Sequence, residues 1–409
     1  MIFLGLDWAE EHHDIAVVDG DGAVLAELQV ADTMAGVTQI HELVGRREGD
    51  PTQVVVGTES VHGLVPQALA AAGYAVYEIN PLASSRYRDR HHLSGAKSDR
   101  GDAKMLADVV RTDRHNHRQY VSDSDLAEGI AVLARTHQNL IHERQTQVNR
   151  LRNTLRQYYP AMLQAFPDFA TSSGRGSQDA MGLLEQAPTP EQGRALSTAK
   201  ITPALRRAGR KRNLEARAEQ IRTALRSPQL ETRPIVTSAY GNSVRATARI
   251  VREMTTQIEA LAAELELRFE EHPDAKIIRS LPGLGFVLGA RALGEFGDAP
   301  NRYADAKARK NYATTSPVTR ASGKLRLVVA RRGGNRRLGE VCLRWAFGAI
   351  HASPGARAYY DSLRARQKTH GQAMRAVANR LVGILHACLA KRVEYDEAVA
   401  WPATVEQAA

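Results

Sequence analysis

Residues 126–160, LAEGIAVLARTHQNLIHERQTQVNRLRNTLRQYYP, hold no proline before Pro160. Apolar residues recur at roughly heptad spacing, at Leu133, Leu140, Val148, Leu151 and Leu155. The pattern predicts one long amphipathic helix that Pro160 ends. A second run of this kind, SVRATARIVREMTTQIEALAAELELRFEEHP, closes at Pro273. Between them lie a loop, FPDFATSSGRGSQDA, and shorter helices over about 179–225. Two long amphipathic helices flanking an insertion suggest a coiled-coil hairpin. Packing on each other within one chain and self-association are equally open.

The chain before residue 126 reads differently. IFLGLDWA is a short apolar run through Asp7, and HDIAVVDGDGAVLAELQV reads as two strands around a DGDG turn. MAGVTQIHELVGRR is a helix, QVVVGTES a buried strand ending at Glu59, GLVPQALAAAGY a helix and AVYEINP a strand, with another helix around Asp102. A hairpin followed by strand–helix alternation predicts a mixed sheet with helices against it. After Pro273, IIRSLPGLGFVLGARALGEFGD reads as helix, tight turn and helix. A basic loop region then leads into a helix, and the chain stays mainly helical to Lys391. The tail from about Glu394 is expected to be loosely held. The fold class is α/β followed by all-α.

At 409 residues the chain calls for two or three domains. A formal net charge of +10 points to a polyanionic partner. Cys342 and Cys388 make no disulfide framework, which suits a reducing compartment. The N-terminus lacks a basic stretch and a long apolar run, and no segment approaches the ~20 apolar residues of a membrane span. The expectation is a soluble cytoplasmic protein with no membrane partner. Residues 1–60 carry twelve acids against Arg46 and Arg47, and residues 302–337 carry eleven Lys or Arg against Asp305. Such asymmetry suggests metal chemistry at one end and nucleic acid at the other.

Residues 95–110, GAKSDRGDAKMLADVV, put Asp99 and Asp102 three apart at a helix start, interleaved with Lys97, Arg100 and Lys104. Acids there serve as caps and meet the helix dipole. Positions i and i+3 also share a helix face, and hard cations prefer carboxylate oxygens. In an RNase H-like sheet the first and fourth strands lie side by side. Asp7 and Glu59 then face one another, and a helix brings the other two acids. Four carboxylates in one pocket repel each other unless divalent cations neutralise them.

PGLG between two helices allows a positive φ and close backbone approach, so Gly283 and Gly285 are candidates for phosphate contact in a helix-hairpin-helix-like element. In TTSPVTRASGKLRLVVARRGGNRR, Ser322 precedes Gly323 and Lys324 among Arg320, Arg326, Arg331 and Arg332, with Arg336 closing the run. A serine hydroxyl needs a base or metal to become a nucleophile. Thr314, Thr315 and Ser316 compete with Ser322, and the residues alone do not choose. His12–His13 and His91–His92 lack partners at zinc spacing and read as surface residues. No phosphate loop occurs, which argues against NTP hydrolysis.

LGLDWAEEHHDIAVVD, VVVGTES, SGAKSDRGDAKMLADVVR, LPGLG and SPVTRASGK, in this order, resemble the IS110 family of transposases, including the Piv-type DNA invertases. The resemblance covers almost the whole chain. It implies a RuvC-like DEDD domain over 1–123, a helical coiled-coil region with an insertion over 124–272, a transposase domain with a serine nucleophile over 273–397, and a tail over 398–409. The DEDD acids match Asp7, Glu59, Asp99 and Asp102, which would hold Mg²⁺ or Mn²⁺. The serine matches Ser322, and that match alone favours it over Ser316. The resemblance further implies donor and target DNA, a structured bridge RNA, and a homo-oligomer from dimer to tetramer in the bacterial nucleoid. Lys97, Arg100, Arg320, Lys324, Arg326, Arg331, Arg332 and Arg336 would contact nucleic acid. Two rivals stand beside it: a hydrolytic RuvC-like nuclease and a non-catalytic nucleic-acid-binding protein.

Overall fold

The computed structural model describes residues 1–61, 63–91, 98–170, 175–323 and 325–402. The chain divides into two compact units, Met1–Asp123 and Ser124–Ala409.

The first unit opens with β1 (Ile2–Trp8), β2 (His12–Val18) and β3 (Val24–Ala31). The DGDG turn joins β2 to β3 as the sequence predicts, with the Asp19 carboxylate accepting from the Asp21 and Ala23 N–H groups. Then come α1 (Met34–Gly45), β4 (Val54–Thr58), α2 (Leu64–Ala71), β5 (Ala75–Glu78), α3 (Pro81–His91), α4 (Asp99–Asp113) and the short β6 (Arg118–Gln119). The six strands form one sheet in the order β3-β2-β1-β4-β5-β6. β1, β4 and β5 run parallel, and the others are antiparallel to their neighbours. Leu4, Leu6, Val54 and Val56 face α1 and α2 through Val37, Ile40, Val65 and Leu69. Phe3 and Val55 face the other way, against Met105, Leu106 and Val109 of α4 and Tyr87 of α3. With both faces covered, the central strands read as continuous apolar runs.

The second unit is mainly helical. α5 (Asp125–Tyr158) spans 34 residues and is capped by Ser124, whose hydroxyl accepts from Ala127 N–H at 3.1 Å. The insertion holds α6 (Pro160–Ala165), α7 (Arg175–Gln186), α8 (Pro190–Arg194), α9 (Thr198–Arg207) and α10 (Leu214–Leu225). α11 (Pro234–Glu271) returns over 38 residues. The two long helices pack on each other antiparallel. Val148, Leu151 and Leu155 share a core with Val244, Ala248 and the insertion, while Ile130 and Ala134 share one with Leu265 and Phe269. The hairpin therefore joins two separate cores.

Next come α12 (Ala275–Ser280), α13 (Phe286–Phe296) and α14 (Ala306–Tyr312), then β7 (Val318–Ser322), β8 (Leu325–Val329), α15 (Arg336–Ala352), α16 (Pro354–Ala365), α17 (His370–Lys391) and α18 (Glu397–Ala400). Trp345 sits at the centre of this core, its indole N–H donating to the Pro282 carbonyl at 2.9 Å.

Four expectations change. The basic loop region is α14 followed by the β7–β8 hairpin. The tail is held as far as Trp401, which is 2% exposed, donates its N–H to the Tyr395 hydroxyl and has Arg380 over its ring; residues 403–409 lie outside the described residues. His13 is buried, 3.3 Å from Asp32. α17 is long and apolar enough to cross a membrane, but Val377, Ala378, Leu381, Val382 and Leu385 face the core.

Candidate active site

Leu6 of β1 is in register with Thr58 of β4. Asp7 is the next residue of β1 and Glu59 the residue that follows β4, so both lie at the same end of neighbouring parallel strands. Side chains alternate between faces, so Asp7 shares a face with Gly5, and Glu59 with Gly57. On that face a Cβ on Gly5 would lie 1.7 Å from the Ala103 carbonyl oxygen, and one on Gly57 2.6 Å from the Leu106 carbonyl oxygen. The two glycines admit the α4 backbone to the sheet. The first turn of α4, carrying Asp99 and Asp102, then stands over the strand ends that carry the other two acids.

Ser98 caps α4, accepting from Gly101 N–H at 3.2 Å. Asp99 and Arg100 are exposed, and Asp102 is 7% exposed. Lys104 pairs with Asp108 at 2.7 Å. Asp14, on β2, is in register with Asp7 and buried. Gln29 donates to the Asp14 carboxylate at 3.5 Å, and His12 Nε2 lies 3.9 Å from it.

Two partners of the acids come from α3, on adjacent turns of one face. The buried Ser84 hydroxyl donates to Glu59. The Arg88 guanidinium pairs with Asp102 at 2.7 Å. Among the described residues, no three His, Cys, Asp or Glu side chains are close enough to share a metal ion. By its chemistry the donor set suits a hard divalent cation, since all four groups offer carboxylate oxygens, and a protein cation, Arg88, stands against the most buried of the four.

In the second unit Ser322 ends β7 in register with Leu325 of β8, and Gly323 takes a φ of +53°. Ser322, Arg320, Arg326, Leu325, Leu327 and Val328 are exposed. A lone two-stranded ribbon has little stability of its own in water. The hydroxyls of Thr315 and Ser316 are hydrogen-bonded. Thr315 is buried and donates to the Lys310 carbonyl, Ser316 donates to Asn311, and Thr314 packs on Gly334 and Gly339. Arg332 and Arg336 are exposed, while Arg331 donates to Asn311 at 3.2 Å. Lys97 and Lys324 lie outside the described residues.

The PGLG turn joins α12 to α13. Gly283 has a φ of +82°, and a Cβ there would lie 2.6 Å from the Ala349 amide nitrogen. Its open side is thus filled by α15, which gives it a packing role. Gly285 is exposed at the start of α13 with nothing within 4 Å of its Cβ position.

Sequence reasoning missed Gly5, Gly57, Asp14, Ser84 and Arg88. A signal for the glycines exists: Gly-Leu-Asp in β1 and Gly-Thr-Glu after it in β4 repeat glycine two residues before the acid.

A mixed sheet of this strand order, with acids at the ends of its adjoining parallel strands and a basic helical second unit, defines a nucleic-acid-processing enzyme class of the RuvC-like type. Residues 4–160 match the family model for IS110-type DEDD transposases, and residues 275–361 match that for transposases of the IS116/IS110/IS902 family. A Streptomyces coelicolor protein named as a mini-circle transposase for IS117 is 41% identical over all of this chain and 98% of its own length. The IS110 43.6 kDa protein of the same organism is 28% identical over 100% of this chain and 98% of its own. The IS900 42 kDa protein of Mycobacterium paratuberculosis is 28% identical over 100% and 99%. The chain belongs to the IS110 family of transposases. Membership implies DNA-recombinase activity on DNA substrates, and DEDD-type transposase nuclease domains generally use a divalent metal.

Proposed function

We propose that this transposase cuts and rejoins DNA through a covalent phosphoserine link at Ser322, assisted by a divalent cation that Asp7, Glu59, Asp99 and Asp102 would hold. The observation that carries the reading is the state of the hydroxyls. Ser322 is exposed at a hairpin tip among exposed arginines, while Thr315 is buried and Ser316 is hydrogen-bonded. A two-stranded ribbon of this kind fits the DNA major groove, and Arg320, Arg326, Arg332 and Arg336 would meet phosphate along it.

The Ser322 oxygen attacks phosphorus, and its proton leaves as the P–O bond to one DNA strand breaks. The released strand oxygen takes up a proton. After strand exchange, a strand hydroxyl attacks the phosphoserine and returns Ser322 to its free form. One phosphoester replaces another at each step, so no ATP is consumed. Lys324, Arg331 and Arg332 stabilise the pentavalent phosphate. The cation, Mg²⁺ or Mn²⁺, supplies charge neutralisation and Lewis-acid activation when bound.

The net charge of +10 suits a chain that also holds RNA. We assign guidance to a structured bridge RNA from the element and assembly to a dimer or tetramer. Residues 1–123 would then supply the acids and 273–397 the serine, joined through 124–272.

The test incubates labelled donor and target DNA with the protein, the element's flanking RNA and Mg²⁺. Joined products are expected from the wild type and lost in Asp102→Asn, in Ser322→Ala and on chelation. Cleavage that persists in Ser322→Ala indicates a hydrolytic nuclease. No cleavage by the wild type indicates an inactive copy or a binding protein.

A further inference from the structure

Helix α3 carries Ser84 and Arg88 one turn apart, and each holds one of the candidate metal ligands. Ser84 is 1% exposed and its hydroxyl is turned to Glu59. The Arg88 side chain is a quarter exposed, and one terminal nitrogen lies 2.7 Å from Asp102. Its Nε is buried and has no hydrogen-bond partner among the described residues. A guanidinium satisfied in this lopsided way gains less than the bidentate pair it can form with a carboxylate. It is well suited to be a displaceable counter-ion.

We propose that Arg88 is a built-in counter-cation that occupies Asp102 in the metal-free protein and competes with the divalent metal for it. The inference rests on the reading of Asp7, Glu59, Asp99 and Asp102 as metal ligands. Asp102 is nearly buried, beside a sheet end that already opposes Asp7 to Asp14. Acids brought together there repel one another unless a positive charge offsets them. Arg88 removes that cost while no metal is bound. A divalent cation removes it as well, and the guanidinium must give up the Asp102 oxygen it holds. Ser84 acts on Glu59 in the same sense, holding one ligand aside. Arg88 is thus a positioning residue that acts through Asp102, and α3 couples its own placement to metal occupancy.

The experiment measures Mn²⁺ binding to the full chain by calorimetry and electron paramagnetic resonance, without nucleic acid. Arg88→Gln removes the competing charge and is expected to bind Mn²⁺ about tenfold tighter than the wild type, the lower end of what an adjacent guanidinium imposes on a carboxylate. Arg88→Lys keeps the charge and is expected to stay near the wild-type affinity. The melting temperature of metal-free Arg88→Gln should fall, and saturating Mn²⁺ should restore more of it than in the wild type. Affinity that is equal or weaker in Arg88→Gln overturns the counter-cation role, since an arm needed only for the fold would give that result. If Mn²⁺ binds the wild type and Asp102→Asn alike, the metal reading fails and takes the inference with it. Misfolding of Arg88→Gln is detected by its melt, and Arg88→Lys against wild type under increasing salt then decides. Screening that leaves Mn²⁺ affinity in both unchanged beyond its effect on Asp102→Asn also overturns the role.

Discussion

Gly5 of β1 and Ala103 of α4 meet backbone to backbone: a methyl group on Gly5 would fall 1.7 Å from the Ala103 carbonyl oxygen. The helix bearing Asp102 can reach the strand bearing Asp7 only because Gly5 has no side chain. Gly5→Ala should therefore push α4 off the sheet. Overpacking of this kind costs about 1–3 kcal/mol or more, read as a lower denaturation midpoint. Gly20→Ala, with nothing within 4 Å of its Cβ position, serves as the control and should be close to neutral.

His137 on α5 gives the second unit an acid-sensitive contact. It is buried and accepts a hydrogen bond from the Arg291 guanidinium at 3.1 Å. Burial, with Arg291 and Arg144 nearby, pushes its pKa down from 6.5 to about 4. The unfolded chain then binds a proton that the folded chain refuses. Stability from this residue is full above pH 6.5 and is lost as the pH falls from 6.5 towards 4, by on the order of 3 kcal/mol. Urea denaturation across that range should show the loss, and His137→Gln should flatten it.

Trp401 anchors the chain beyond α17. A Cβ on Gly355 would lie 2.3 Å from its indole ring, so the glycine makes room for it. Trp401→Ala should cost about 3–5 kcal/mol, as for other buried large-to-small changes. Differential scanning calorimetry should register a lower melting temperature. An unchanged melt would return this segment to the loose tail that its sequence suggests.

Ser322 is exposed and its side chain supports no core. Ser322→Ala should change stability by no more than about 0.5 kcal/mol while removing DNA joining. Loss of joining together with loss of fold would instead mean that the hairpin needs the hydroxyl structurally.

The hairpin, the central strands and the long helices were legible because their signals are local: a DGDG turn, apolar runs ending in an acid, a heptad stripe. Helix α3 was not. PLASSRYRDRH is polar and lacks an apolar stripe, and what makes it a helix is Pro81 in its first turn and the Asn80 side chain accepting from Leu82 N–H. Its partners, Glu59 and Asp102, come from distant sequence. The β7–β8 hairpin was hidden by its charge, since the arginines around SGK outweighed the alternation expected of a strand. The acids could be ordered along the chain from sequence. Their juxtaposition needed the register of β1 against β4 and the two glycines under α4.

The most direct measurement maps the peptide attached to DNA when the full chain is trapped on labelled donor and target DNA with the element's RNA. It is made with Mg²⁺ present and again with the metal chelated. The account expects a Mg²⁺-dependent phosphoserine at Ser322, absent from both Ser322→Ala and Asp102→Asn. Strand cleavage with no protein–DNA adduct, or an adduct on any other residue, would contradict it.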